Sequence, residues 1–195
     1  MPRRYGPELS LAEWLVLCLV SEEPTHCFAL ATLLAPHGSV GMAWHVRKAV
    51  VYRAAQRLEQ LGLIVAADWE VTSIGPPRVQ LSATPEGHRA AQGWLRQPVA
   101  HPRDVRSELL VKLALLSRLG ADPGELLQAQ RRQLIPVADR LGRQLLTATG
   151  FDQQLMRWRH DSVCATVRFI DALLLTASAP SAESRPGSRP VLAQP

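Results

Sequence analysis

Residues 46–62 constrain this chain more than any other stretch. Val51, Ala55 and Leu58 recur at i, i+4 and i+7, which puts them on one stripe of a helix. Gly62 follows the last helical residue, where a C-terminal glycine belongs. The pattern predicts a helix from Val46 to Leu61, and past Gly62 the period changes. Leu63-Ile64-Val65-Ala66 is a short β-prone run, Asp68 to Thr72 is polar around Trp69 and Val71, and Gly75-Pro76-Pro77 makes a turn. Arg78-Val79-Gln80-Leu81 alternates polar and apolar as a returning strand would. Thr84-Pro85-Glu86-Gly87 reads as an N-cap, a proline at the first helical position, and a helix through Trp94-Leu95.

Upstream, Leu11, Leu15, Cys18 and Leu19 lie at helical spacing with Ser10 as N-cap, and Pro24 ends that helix. A second helix is expected from His26 to Leu34, carrying Phe28, Leu30, Leu33 and Leu34, with Pro36 and Gly38 to stop it. Three helices, a hairpin and a helix, in that order, define a winged helix-turn-helix domain over residues 1–98. Pro98 to Pro102 reads as a hinge. Three more helices are expected beyond it: Asp104 to Leu119, Glu125 to about Thr147 with a kink at Pro136, and Asp152 to about Thr176. The fold class is therefore mainly α with a small β-hairpin wing, a winged helix-turn-helix domain plus a C-terminal α-helical dimerisation domain over 99–177. The last helix carries Leu155, Trp158, Val163, Val167, Ile170 and Leu174. A hairpin of two long helices cannot cover both of its apolar faces. They pack either on the first domain or on a second copy, and a homodimer is the expectation. Residues 178–195, rich in Ser, Ala, Pro, Gly and Arg, read as a disordered tail.

Of the 195 residues, 47% are hydrophobic and 20% charged, so the chain can bury a core. Three scattered cysteines form no disulfide framework, which fits a reducing, cytoplasmic setting. Arg3-Arg4 before the apolar run Leu9 to Val20 mimics a signal peptide, but Glu13 interrupts the run and no small-residue cleavage site follows. Twelve residues are too few to span a bilayer, which needs about 20.

On the third helix, Ala49, Arg53, Gln56 and Arg57 lie opposite the Val51 stripe, with Arg47 and Lys48 in the first turn and Tyr52 beside the stripe. Small residues permit close approach and arginine can read guanine or hold phosphate, so this side suits a DNA major groove. Arg78, near the hairpin tip, is placed to reach a phosphate or minor groove. Bulk charge adds little. Residues 1–98 hold nine basic and eight acidic groups, a net of +1. Any affinity for DNA has to come from local placement.

These residues resemble the PadR family of bacterial transcriptional regulators. The resemblance runs over roughly residues 9–175 and rests on Leu9–Leu34, Trp44–Leu63 with Val51-Tyr52-Arg53 and Arg57-Leu58-Glu59, Gly75–Gly87, and Arg103–Leu116. It implies a dimeric winged-helix reader of double-stranded DNA that represses from an inverted-repeat operator and is relieved by a small-molecule effector. It further implies that Arg47, Lys48, Tyr52 and Arg53 face DNA, with Arg78 on the wing, and the helical wheel adds Arg57 to the same candidate DNA-binding set. Trp14 and Trp158 fall on the helices the resemblance places at the dimer seam, where they either anchor the interface or line an effector pocket. The sequence departs from the family at Cys27, where a glycine is common, at Ala55, where a bulky residue is usual, and at Leu81, often aromatic.

Histidine and cysteine spacings match no metal pattern, and no GxSxG elbow, HExxH helix or phosphate-cradling glycine loop is present. No enzyme activity, metal or cofactor is expected, and no membrane association. The alternative reading is a protein-interaction adaptor whose winged helix no longer binds DNA, to which the +1 balance of residues 1–98 lends weight.

Overall fold

The computed structural model describes residues 8–70 and 78–177, with side chains for all of these except 67–70, 78 and 177. The architecture is the expected one: a winged helix-turn-helix followed by a helical region. The turn at Gly75-Pro76-Pro77, Arg3-Arg4 and the tail 178–195 lie outside the described residues.

Helix α1 (Leu11–Glu22) opens on a capping box. Ser10 Oγ accepts from the Glu13 amide at 3.3 Å while Glu13 Oε2 accepts from the Ser10 amide at 2.6 Å, satisfying two otherwise orphan donors. Its residues from Leu15 to Val20 are all buried, so the apolar run is the central rod of the domain. Helix α2 (Cys27–Leu33) begins one residue later than the pattern places it, because His26 is its cap: Nδ1 accepts from the Ala29 amide at 3.0 Å. Gly38 and Gly41 turn the chain so tightly that a Cβ at either would collide with the carbonyls of Leu33 or Ala35. Val46 is buried, and its amide donates to the Leu34 carbonyl at 3.0 Å. That bond holds Val46 outside the helix, and α3 runs Lys48–Gln60 with Arg47 as N-cap rather than starting at Val46.

Gly62 adopts φ 67°, the left-handed turn its position requires. Strands β1 (Ile64–Glu70) and β2 (Arg78–Ala83) pair antiparallel from Ile64↔Ala83 to Glu70↔Arg78, with an irregularity between Ala67 and Trp69. Thr25, between α1 and α2, exchanges backbone hydrogen bonds with Leu81 and forms an isolated antiparallel bridge on β2. The wing is thereby tied to the helix-turn-helix. Helix α4 (Pro85–Arg96) is capped by Thr84, whose hydroxyl accepts from the Gly87 amide and donates to the Gly62 carbonyl at 2.9 Å.

The 98–102 stretch is no free hinge. Val99 is buried, and its amide and carbonyl both bond the fully buried side-chain amide of Gln130, at 2.6 and 3.1 Å. The helix expected from Asp104 is not uniform either. A 3₁₀ turn (Pro102–Asp104) and a π-helical segment (Val105–Leu109) precede α5 (Leu110–Arg118). Helix α6 (Gly124–Thr147) runs on through Pro136 and packs along α7 (Gly150–Ala177). One apolar cluster joins these helices to the winged helix.

Lys112 sits inside that junction at 1% exposure. Its ammonium donates to the Gln97 carbonyl at 2.7 Å, pairs with Glu108 at 2.8 Å, and lies 4.5 Å from the centre of the Trp94 ring. Burial pushes its pKa below the ordinary 10.5, opposed by the Glu108 carboxylate. A lowered folded-state value means the unfolded chain binds more protons between that value and 10.5, so stability rises with pH through that window. We expect Lys112→Met to remove this alkaline rise, read as the wild-type-minus-variant difference in urea unfolding free energy across pH 8 to 10.5. Lys112→Ala should cost about 3 kcal/mol at neutral pH, because it strands Glu108 and the Gln97 carbonyl.

Candidate nucleic-acid interface

Helix α3 is held from beneath. Val51, Ala54, Ala55 and Leu58 are buried, packed mainly toward α1. Full burial of a valine or leucine contributes about 1.5–3 kcal/mol, so this seam fixes the rotation of the helix. Arg47, Lys48, Ala49, Tyr52, Arg53, Gln56 and Arg57 all fall on the exposed side. Among the described residues, the side chains of Arg47, Arg53 and Arg57 have no hydrogen-bond or ion-pair partner. Within the described residues their guanidiniums are neither tied into the fold nor neutralised by it. Ala55, where a larger residue would be usual in the family resembled, is almost wholly buried and leaves the seam continuous.

Lys48 differs from its arginine neighbours. Its Nζ lies 5.4 Å from the Phe28 ring centre and 5.9 Å from that of Tyr52, within reach of a cation–π attraction to both. Phe28 therefore belongs to this surface, at 51% exposure, and not to the core of α2 where the pattern counts it. A signal for this exists in the sequence: Leu30, Leu33 and Leu34 define the buried side of α2, and Phe28 is two residues, or 200°, away from Leu30. Trp44 and Met42, in the turn before α3, are also exposed. The backbone of Arg78 starts β2, where it pairs with Glu70, and its side chain lies outside the described set.

The two tryptophans singled out in the sequence are not brought together. Trp14 stacks on Trp94 of α4, ring centres 5.2 Å apart and planes 6° from parallel, within the same chain. Trp158 is 72% exposed on α7. It edges an open groove of about 820 Å³, whose walls include Leu110, Leu141 and Phe169 together with Arg106 and Arg159. Trp14 takes no part in that groove. Among the described residues, no cluster of His, Cys, Asp or Glu has a metal-binding arrangement, and no helix is long and apolar enough to cross a membrane.

The structure is similar to that of Bacillus subtilis PadR in complex with operator DNA, with a TM-score of 0.43 and 15% identity over 84% of this chain and 98% of that one. It is also similar to smu.1604c from Streptococcus mutans UA159, with a TM-score of 0.40 and 12% identity over 84% of this chain and 98% of that one. No family model and no curated protein matches the chain. Both structural likenesses are distant, and what α3 can do is decided by its own side chains.

Because these arginine side chains have no partner among the described residues, each should be dispensable for folding. Arg47→Ala, Arg53→Ala and Arg57→Ala are expected to change the unfolding free energy by less than about 0.5 kcal/mol in urea titrations. A larger loss in any of them would reveal a structural role and remove that residue from the candidate interface.

Proposed function

We propose that this chain is a dimeric, sequence-specific reader of double-stranded DNA that acts as a transcriptional regulator of the PadR kind, a cytoplasmic repressor released by a small-molecule effector. The observation that carries this reading is the pairing of a fixed, buried seam on α3 with an exposed face of small residues and of arginines whose side chains have no partner among the described residues. In a helix-turn-helix the helix in this place enters the major groove with its N-terminal residues at the base edges. On that docking Arg47, Lys48, Tyr52 and Arg53, all at the N-cap or in the N-terminal half of α3, face the DNA. Arg57 lies further along the same exposed surface and Arg78 on the wing, and we assign a base contact to Arg53.

Dimerisation is supported by the apolar side chains left on the outside of the α6–α7 hairpin: Leu146, Phe151, Trp158 and Leu175 are each more than 70% exposed. Apolar side chains this exposed are unfavourable on a single chain in water, and a second copy could cover them. The groove beside Trp158 is the place we assign to an effector. The protein would act by occupancy, without turning over a substrate. Two recognition helices in a symmetric dimer lie about 34 Å apart on DNA, so the operator should be an inverted repeat.

Arg53→Ala is expected to weaken binding to a fragment from upstream of the protein's own gene by at least tenfold in a mobility-shift titration, in line with about 1–3 kcal/mol for a specific guanine contact. The parent protein should lose affinity steeply as salt rises and should prefer that fragment to random DNA. Equal, salt-insensitive binding to both would favour the adaptor reading. Trp158→Ala should shift the sedimentation profile toward monomer, and an unchanged profile would take that residue out of the interface.

A further inference from the structure

The last helix carries a constellation that the DNA-binding reading leaves unused. Cys164 Sγ lies 3.4 Å from His160 Nε2, one turn back along α7. The other ring nitrogen, Nδ1, is 3.1 Å from Asp161 Oδ1. An ionised carboxylate can only accept, so the proton between them sits on Nδ1, and Nε2 is left with its lone pair facing the thiol. Nucleophile, base and orienting carboxylate thus stand in the order that activates a cysteine. Gly142 on α6 packs against the imidazole: a Cβ added there would stand 3.5 Å from Nε2, so the glycine leaves the ring room beside that helix. Cys164 itself is half-buried, within reach of a small reagent.

The other two thiols have no such company. Cys18 is buried in α1, and burial pushes its pKa up to about 12. Burial also raises that of Cys27, helped by the nearby Glu59 carboxylate and opposed by a backbone hydrogen bond. Both are held as inert thiols at neutral pH.

We propose that Cys164 is a site of covalent modification by small electrophilic alkenes, with His160 as its base and Asp161 as the group that orients His160. In the step, the thiol proton passes to His160 Nε2 as sulfur attacks the electron-poor carbon. The S–C bond forms, the alkene π pair moves to the neighbouring carbon as an enolate, and that carbon takes the proton back from the imidazolium. Nothing leaves, and no oxidant or second cysteine is needed. The product is a thioether on the α6–α7 hairpin. Because His160 lies against Gly142, the adduct stands beside the seam between the two helices.

N-ethylmaleimide, a small electrophilic alkene, tests the assignment on the full-length folded protein. At neutral pH and limiting reagent, peptide mass spectrometry should find Cys164 labelled at least tenfold faster than Cys27, with Cys18 unlabelled. His160→Ala should cut the Cys164 rate by at least fivefold, and Asp161→Asn should cut it by a smaller factor. Between pH 6 and 9 the parent's rate should climb less steeply than that of His160→Ala, a readout that a purely structural role for His160 would not move. Circular dichroism establishes that each variant is folded. If His160→Ala fails to fold, the Asp161→Asn rate and the parent's ratio of Cys164 to Cys27 labelling decide the matter alone. Labelling of Cys164 no faster than Cys27, or a His160→Ala rate equal to the parent's, overturns the proposal. DNA binding enters none of these readouts, so the two readings stand or fall separately.

Discussion

The burial of Val51, Ala55 and Leu58 beneath α3 is the constraint from which the rest of the interface follows. A helix has one rotation at which three apolar side chains on a single stripe all leave water. Here that rotation puts every arginine of α3 outward. The underlying support is α1, buried over six consecutive residues and so shielded on all sides. It cannot shift without disturbing α3, α4 and β2, all of which pack on it. Small residues matter as much as large ones in this contact. Ala54 and Ala55 are nearly fully buried, and at these positions the helix lies close to its support.

A second constraint ties this head to the helical region. Lys112 binds the Gln97 carbonyl from α5 and faces the ring of Trp94, which in turn stacks on Trp14 of α1. Gln130 of α6 clasps both backbone groups of Val99. Both links land on the segment just after α4. A buried polar group without partners costs more than a satisfied one contributes, so these bonds specify one arrangement of that segment against the others. A displacement of α5 or α6 therefore has a mechanical route to α1, and through α1 to the helix that carries the arginines. The π-helical turn at Val105–Leu109 stands at the start of this route, and one wall of the open groove comes from the same stretch.

Much of this was legible in the sequence because the signals are local. Ser10, Thr84-Pro85 and Gly62 each mark an end with chemistry that works over three residues, and all three ends fall where those residues place them. The stripe of α3 is likewise a local period. What the sequence hides is what depends on contacts distant along the chain. The Thr25–Leu81 bridge joins residues far apart in order, and Val46 is excluded from α3 by a bond to Leu34. Pro98 to Pro102 has the composition of a hinge, yet Gln130, 31 positions from Val99, pins it. Phe28 is apolar and helical, which reads as core until Lys48 and Tyr52 are seen beside it. Trp14 has a partner in the chain itself, Trp94, and nothing in their separate helical patterns announces the stack.

The net charge of the head has to be weighed with its partners in place. Counted by residue, 1–98 carries only +1, which looks weak for a surface proposed to meet a polyanion. One correction favours the interface. Glu22, at the end of α1, is engaged by Arg118 of α5 at 2.7 Å, so one of the eight acidic groups of the head is neutralised from outside it. The four cations of residues 47–57, by contrast, are all exposed on α3 and its N-cap, and three of them have no anionic partner among the described residues. At physiological salt a charge is felt over about 8 Å. A phosphate arriving at α3 therefore responds to those four side chains far more than to the sum over the domain, and a modest net charge is compatible with a strongly attractive face.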